Sequence, residues 1–290
     1  MIIEISNDYL KVKINSKGAE LWSVEGENGI EYIWQGDTKF WGDRALNLFP
    51  YIARLTEGKY VYNGEEFHMP IHGFLSGSTL ETENCTKDSV SFKLVSSSET
   101  QKMYPFLFEL YIHYELRENQ IDVIYEVRNK DFKTMYFGIG GHPGFNVPIG
   151  TGRFEDYYLE FEEECSPYRI GMSEDCFVTG KDELYLLEDN RIIRLRHQMF
   201  DDDAVILRDM SKKVTLRSKL DTSEISVSFP DMTYLGIWHT PGTKAGFICI
   251  EPWSSLPSRK GIVENLEEQK NLIPLKAKEI YHNRWSMTFL

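Results

Sequence analysis

The chain has 290 residues, 41% hydrophobic and 27% charged, an ordinary globular composition with enough mass for a large core. Its formal charge is -13, from 45 acidic and 32 basic side chains without a basic stripe, which speaks against nucleic acid and anionic membrane as partners. No apolar stretch approaches the roughly 18 residues of a membrane-spanning helix, and the start lacks a basic segment followed by a long apolar run, so a cytoplasmic protein is expected.

Taken in chain order, Leu10, Val12 and Ile14 alternate with Lys11 and Lys13, the period of a strand with one buried face. Gly26-Glu27-Asn28-Gly29 reads as a turn, and residues 61–67 as a hairpin closed by Asn63-Gly64, two residues that tolerate the left-handed backbone of a tight turn. Phe108, Leu110, Ile112, Tyr114 and Leu116 form the next alternating run, followed by Ile121, Val123, Tyr125 and Val127. The acidic run Glu162-Glu163-Glu164 reads as a solvated face, and Ile225, Val227 and Phe229 as another strand. Only the stretch from Glu264 to Asn271 predicts a short helix.

No repeat or linker interrupts the chain, so a single domain over residues 1–290 is expected. The fold class is all-β, a large antiparallel β-sandwich with few short helices. Cys85, Cys165, Cys176 and Cys249 stand far apart without a CxxC pair. Reduced thiols are expected, and a structural zinc site is not.

Four segments carry candidate chemistry. In Asn47-Leu48-Phe49-Pro50-Tyr51-Ile52-Ala53-Arg54 an arginine follows a stretch that otherwise reads as buried. In Pro70-Ile71-His72-Gly73-Phe74 a histidine precedes a glycine that permits a sharp turn or a close approach. Residues 137–146, Phe-Gly-Ile-Gly-Gly-His-Pro-Gly-Phe-Asn, spend stability on backbone freedom around His142, as a loop holding one side chain in place does. The spacing is not that of a phosphate-binding glycine loop. The last segment, residues 246–253, is an apolar run that delivers Glu251 beside Pro252 and Trp253. Apolar surroundings raise a carboxylate's pKa, which makes Glu251 the best general-base candidate.

Together Arg54, Ile71-His72-Gly73-Phe74, Gly141-His142-Pro143-Gly144-Phe145-Asn146 and Ile250-Glu251-Pro252-Trp253 resemble, in order and spacing, the active-site segments of the aldose 1-epimerases, the mutarotases that interconvert hexose anomers. The likeness is to the shorter bacterial branch associated with lactose and galactose operons, and it extends over essentially the whole chain. It implies a large antiparallel supersandwich with a sugar cleft, no metal and no organic cofactor. It also implies roles: Glu251 as general base, His142 as general acid, His72 near the ring oxygen, and Arg54 orienting the sugar. Asp203 matches the aspartate that meets sugar hydroxyls, with the register among Asp201, Asp202 and Asp203 left open. Phe74 and Trp253, inside the motifs, complete the expected sugar-binding set.

The expected partner is a monosaccharide, and the expected state a monomer or homodimer. The larger galactose mutarotases carry glycine where Phe74 stands and asparagine where Gly141 stands, so galactose itself is not implied. Ser76 stands where the hexose-6-phosphate branch has an arginine, which favours an unphosphorylated hexose. Competing readings are a non-catalytic sugar-binding protein on the same fold, a hexose-6-phosphate mutarotase, and a glycoside hydrolase, for which Glu251 has no evident carboxylate partner.

Overall fold

The computed structural model describes residues 1–290. A nine-stranded sheet runs in the order Ile192–Arg194, Tyr157–Phe161, Lys213–Ser218, Ile225–Ser228, Ile280–Phe289, Gln120–Asn129, Phe108–Arg117, Ser89–Val95 and Glu81–Cys85. A seven-stranded sheet runs Glu183–Leu184, Tyr168–Arg169, Val205–Arg208, Tyr234–Trp238, Phe247–Trp253, Gly140–Asn146 and Ala45–Leu48. The pairings within both sheets are antiparallel. Ile2–Ser6, Leu10–Asn15 and Glu20–Gly26 add a three-stranded sheet.

The two large sheets meet face to face because each strand alternates its side chains across the pleat. Val123, Tyr125 and Met287 of the larger sheet join Leu207, Leu235, Ile248 and Ile250 of the smaller in one core of 64 buried residues. Each such aliphatic side chain removed from water contributes roughly 1.5–3 kcal/mol. Polar ties cross the same layer: the Tyr125 hydroxyl donates to Asn47 Oδ1 at 2.7 Å, and the Asn47 amide donates to the carbonyls of Gly18 and Ala19. The buried asparagine is thereby satisfied and locks the sheets together.

The predicted hairpin forms between Lys59–Tyr62 and Glu65–His68, with Asn63 and Gly64 at φ 50° and 78°. Glu162, Glu163 and Glu164 are exposed, and Glu162 pairs with Lys213 at 2.8 Å. The predicted helix at 264–271 is corrected to a series of turns. There the Leu266 N–H donates to the Val61 carbonyl, and the Val61 N–H donates to the Glu264 carbonyl, so the segment docks on the hairpin, and its own turns, closed by the Glu268 and Gln269 N–H groups on the Asn265 carbonyl, do not propagate into a helix. Leu266, Gln269 and Leu272, spaced like one helical face, are buried from successive turns. The α-helix of the fold is Ser98–Met103, started by a reciprocal cap in which Ser97 and Thr100 each accept the other's backbone N–H. No helix is long and apolar enough to cross a membrane.

Candidate active site

The strand Phe247–Trp253 is buried along its whole length, so both its faces are covered. Ile248 and Ile250 point into the inter-sheet core. Phe247, Cys249, Glu251 and Trp253 point the other way, where Trp34, Phe40, Trp41 and Trp238 pack as a second layer near Cys249 and Phe247. The same alternation puts His142, Ile206 and Trp238 of the neighbouring strands on this outer face, lining one cavity. Glycine keeps the layer thin at two points: a Cβ on Gly144 would sit 2.9 Å from the Trp41 ring, and one on Gly236 3.3 Å from the Glu251 Cβ. On the inner face, a Cβ on Gly141 would meet the Trp285 ring at 2.5 Å, so the sandwich packing itself calls for glycine before His142.

The register Gly140↔Trp253 and Gly144↔Cys249 sets His142 directly opposite Glu251 on adjacent strands. Their Nε2 and Oε2 atoms lie 3.1 Å apart, without the alignment of a hydrogen bond. Glu251 is 1% exposed and His142 7%. Glu251 Oε2 and His142 Nδ1 have no hydrogen-bond partner among the protein's own groups. Buried polar atoms left in this way cost about 1–3 kcal/mol each, so their retention points to a ligand that satisfies them. Trp41 stacks on the His142 ring at 4.8 Å, and Trp238 and His72 meet it edge-on at 5.7 and 5.5 Å. The ring is therefore held on three sides and free only toward the cavity.

That cavity measures about 300 Å3. His72 enters it from a distorted loop: the Ala53 N–H donates to His72 Nδ1 at 3.2 Å, and the His72 N–H donates to the Ala53 carbonyl at 3.0 Å. With Nδ1 accepting, the neutral ring carries its proton on Nε2. Ala53, His72, Cys176 and Asp203 all adopt left-handed backbone, at φ 57°, 65°, 66° and 75°. Non-glycine residues hold that conformation at a cost of order 1–3 kcal/mol each, and such strain gathers at sites that need a side chain aimed one way. Gly73 follows in the same region, and a Cβ there would collide with the Phe49 carbonyl oxygen at 2.2 Å.

Electrostatics separate the groups. Burial, helped by the charge of Asp203, pushes the Glu251 carboxyl well above the usual carboxylate range. Burial and the neighbouring His72 push His142 well below the usual imidazole range. His72 is lowered to about 4 by burial and by Arg54, with Asp203 opposing. Both shifts favour the uncharged forms of the sugar-free pair. Asp203 Oδ2 accepts from the Cys176 thiol at 2.7 Å.

Of the residues singled out from sequence, Arg54, His72, His142, Asp203, Glu251 and Trp253 line this one cavity. Among the three aspartates, Asp202 and Asp203 reach it. Phe74 is corrected: it is 6% exposed and packs in the core against Phe49, Tyr104 and Phe108, because the left-handed turn at His72 and Gly73 directs neighbouring side chains apart. Ser76 likewise does not line the cavity; a Cβ on Gly18 would touch its backbone instead. Sequence reasoning missed Trp41, Trp238, Met172 and Cys176. The Phe40-Trp41 pair in a polar loop was a usable signal for the first; Cys176 had none.

The aldose 1-epimerase family model matches residues 1–271. The chain is similar to the plasmid-borne protein LacX of Lactococcus lactis subsp. lactis, with 33% identity over 291 residues, 96% of this chain and 97% of that one. It is similar in structure to a galactose mutarotase related enzyme from Lactobacillus acidophilus, with TM-score 0.96, 34% identity and coverage of 100% of this chain and 97% of that one. A galactose mutarotase-like protein from Lactobacillus casei aligns at TM-score 0.95 and 30% identity over 100% of both chains.

Proposed function

The chain belongs to the aldose 1-epimerase family, and on that premise we propose that it is a cofactor-independent mutarotase, converting the α and β anomers of an unphosphorylated hexose by ring opening and reclosure. The observation that carries the reading is the opposition of His142 and Glu251 across 3.1 Å, each with an unpartnered buried atom, in the wall of one cavity. Opening a hemiacetal moves two protons at once. Glu251 takes the proton of the anomeric hydroxyl, the electrons of that O–H bond form the carbonyl, the C1–O5 bond breaks, and the ring oxygen takes a proton from His142. After rotation about C1–C2 the hydroxyl attacks the other face of the aldehyde, and the two groups act in reverse. The assigned roles require the bound sugar to bring the pair into its ionised form, carboxylate and imidazolium, and the 3.1 Å contact keeps the two groups close enough for each charge to stabilise the other.

Around that centre, His72 presents an Nε2–H donor, Arg54 a cation, and Asp203 an acceptor, its other oxygen held by Cys176. Trp253 and Trp41 supply apolar walls for the ring. A protein that only bound sugar would have no use for an acid and a base opposed in this way. Freshly dissolved α-glucose and α-galactose followed by polarimetry test the proposal: mutarotation no faster than the uncatalysed rate would leave a binding protein.

The preference for a neutral hexose rests on the cavity's charges. Arg54 stands as its one lysine or arginine against the carboxyls of Asp202 and Asp203, with Glu251 held toward its neutral form by burial. A phosphate dianion there meets more repulsion than attraction. Catalytic efficiency on glucose and galactose should match or exceed that on their 6-phosphates; a preference of about tenfold for a phosphate, about 1.4 kcal/mol, would require a charge clamp these residues lack.

A further inference from the structure

The strand Phe247–Trp253 carries Cys249 two residues before Glu251, hence on the same face, and its register partner Gly144 presents no side chain. His142 stands across from Glu251 on the next strand. One donor atom from each of His142, Cys249 and Glu251 lies within 4.8 Å of the other two, and the three residues are 7%, 0% and 1% exposed. In the sequence these residues have no metal-ligand spacing; the sheet register alone brings them together.

Imidazole, thiolate and carboxylate form a donor set suited to zinc rather than to magnesium or calcium, which demand oxygen. Ligands bonded to tetrahedral zinc at about 2.0–2.1 Å lie roughly 3.3 Å from one another. His142 Nε2 and Glu251 Oε2, at 3.1 Å, already match one such edge, and neither is committed to an aligned hydrogen bond. Charge also closes: one thiolate and one carboxylate neutralise a dication, which a buried site requires. Three protein ligands leave a fourth position on a tetrahedral ion, and two of the three, His142 and Glu251, line the sugar cavity.

We propose that the floor of this cavity is an inhibitory site for a thiophilic divalent cation such as zinc, bound by His142, Cys249 and Glu251. On binding, the ion forms bonds to the Cys249 sulfur and a Glu251 oxygen as the thiol and carboxyl protons leave to solvent, and it takes up the lone pairs that His142 and Glu251 need for proton transfer. It therefore excludes turnover, and it binds more tightly as pH rises because protons are released. Cys249 takes no part in moving sugar protons. Its role is to convert an acid-base pair into a chelate.

The inhibition rests on the proposed mutarotase reading; the binding does not, and the two are measured separately. Zn2+ should bind the full chain at one ion per molecule in equilibrium dialysis, and Cd2+ should give a thiolate charge-transfer band in the ultraviolet. Polarimetric activity should fall with added Zn2+ and return with EDTA. Cys249→Ala should keep its activity without metal, lose the Cd2+ band and lose about tenfold or more in zinc sensitivity. Cys249→Ser serves if the alanine variant misfolds. Cys176, which lines the cavity beside Asp203, supplies the control. Loss of the band in Cys176→Ala with its retention in Cys249→Ala overturns the site, as does equal zinc sensitivity of wild type and the Cys249 variants. A chain that binds zinc through Cys249 but turns over no sugar refutes the enzymatic reading and leaves the metal site standing.

Discussion

Two buried histidine clusters flank the smaller sheet, and they differ in one respect that matters. His239, 0% exposed at the end of Tyr234–Trp238, places Nδ1 2.9 Å from the Thr240 carbonyl, which accepts only, so that nitrogen carries the proton. Its Nε2 is then bare and accepts from His197 Nδ1 at 3.0 Å, while Phe154 stacks on His197 at 4.2 Å and Phe200 packs tilted against His239 at 4.3 Å. His142 is as well packed, between Trp41 and Trp238, and burial lowers its basicity as it lowers that of His239. Yet His142 Nδ1 and the facing Glu251 Oε2 lack partners. Burial and a shifted pKa therefore do not distinguish a working histidine from a structural one. Completed hydrogen bonding does.

The sharpest way to break this comparison is kinetic. Glu251→Gln keeps size and one accepting oxygen but cannot take the anomeric proton, and positioned acid-base groups contribute roughly 10² to 10⁴ each, so kcat should fall by that range. His142→Asn should do the same, with sugar binding by calorimetry largely kept. Because the two act in one exchange, the double variant should lose much less than the product. His239→Gln, at pH 7, should leave kcat nearly unchanged. Retention of more than about a tenth of kcat in Glu251→Gln would remove Glu251 as base and turn attention to Asp202 and Asp203, which share the cavity.

A smaller effect is expected in stability, where His239 adds to the acid sensitivity that the lowered His72 and His142 also carry. His239 is lowered to about 4, chiefly by burial, with the charge of His197 adding and Asp201 opposing. Above pH 6.5 the group is neutral in folded and unfolded chains and adds no pH dependence. Between pH 6.5 and 4 the unfolded chain takes up a proton that the folded chain refuses, so stability drains as pH falls, by on the order of 3 kcal/mol for this group. Urea midpoints measured from pH 7 to pH 4 should decline more steeply for wild type than for His239→Gln. Parallel declines would place the acid sensitivity elsewhere.

The sequence made one side of this contrast easier to see than the other. Strands such as Phe108–Arg117 were legible because alternation shows wherever one face is more buried than the other. Phe247–Trp253, covered on both faces, read as an apolar run whose one carboxylate stood out. That Glu251 faces His142 was invisible in the chain, since only register joins them. A motif also cannot tell which neighbours of a left-handed pair turn inward, so Phe74 was placed in the site when the turn sends it to the core. The same limit applies at 264–271, where buried residues at helical spacing are held by bonds to Val61 that no local pattern encodes. Trp238 and Cys176 reach the cavity from strand and turn positions that look ordinary one residue at a time.

The smallest expected effect is none at all. Ring opening needs one proton removed and one delivered, and His142 with Glu251 can supply both without a Lewis acid. Exhaustive dialysis against EDTA should therefore leave kcat where it was, or raise it if zinc had been bound at Cys249. The result separates two meanings of the unpartnered atoms that mark this cluster. If they await sugar hydroxyls and the ring oxygen, chelation is harmless and Glu251→Gln abolishes turnover. If they are ligands of a working metal, chelation abolishes activity and a divalent ion restores it, and the cavity's chemistry would have to be rewritten around that ion. The saturated His197 and His239 pair offers no such atoms between its rings, so stability in EDTA should be the same for wild type and His239→Gln relative to buffer alone, a control read by the same urea titration.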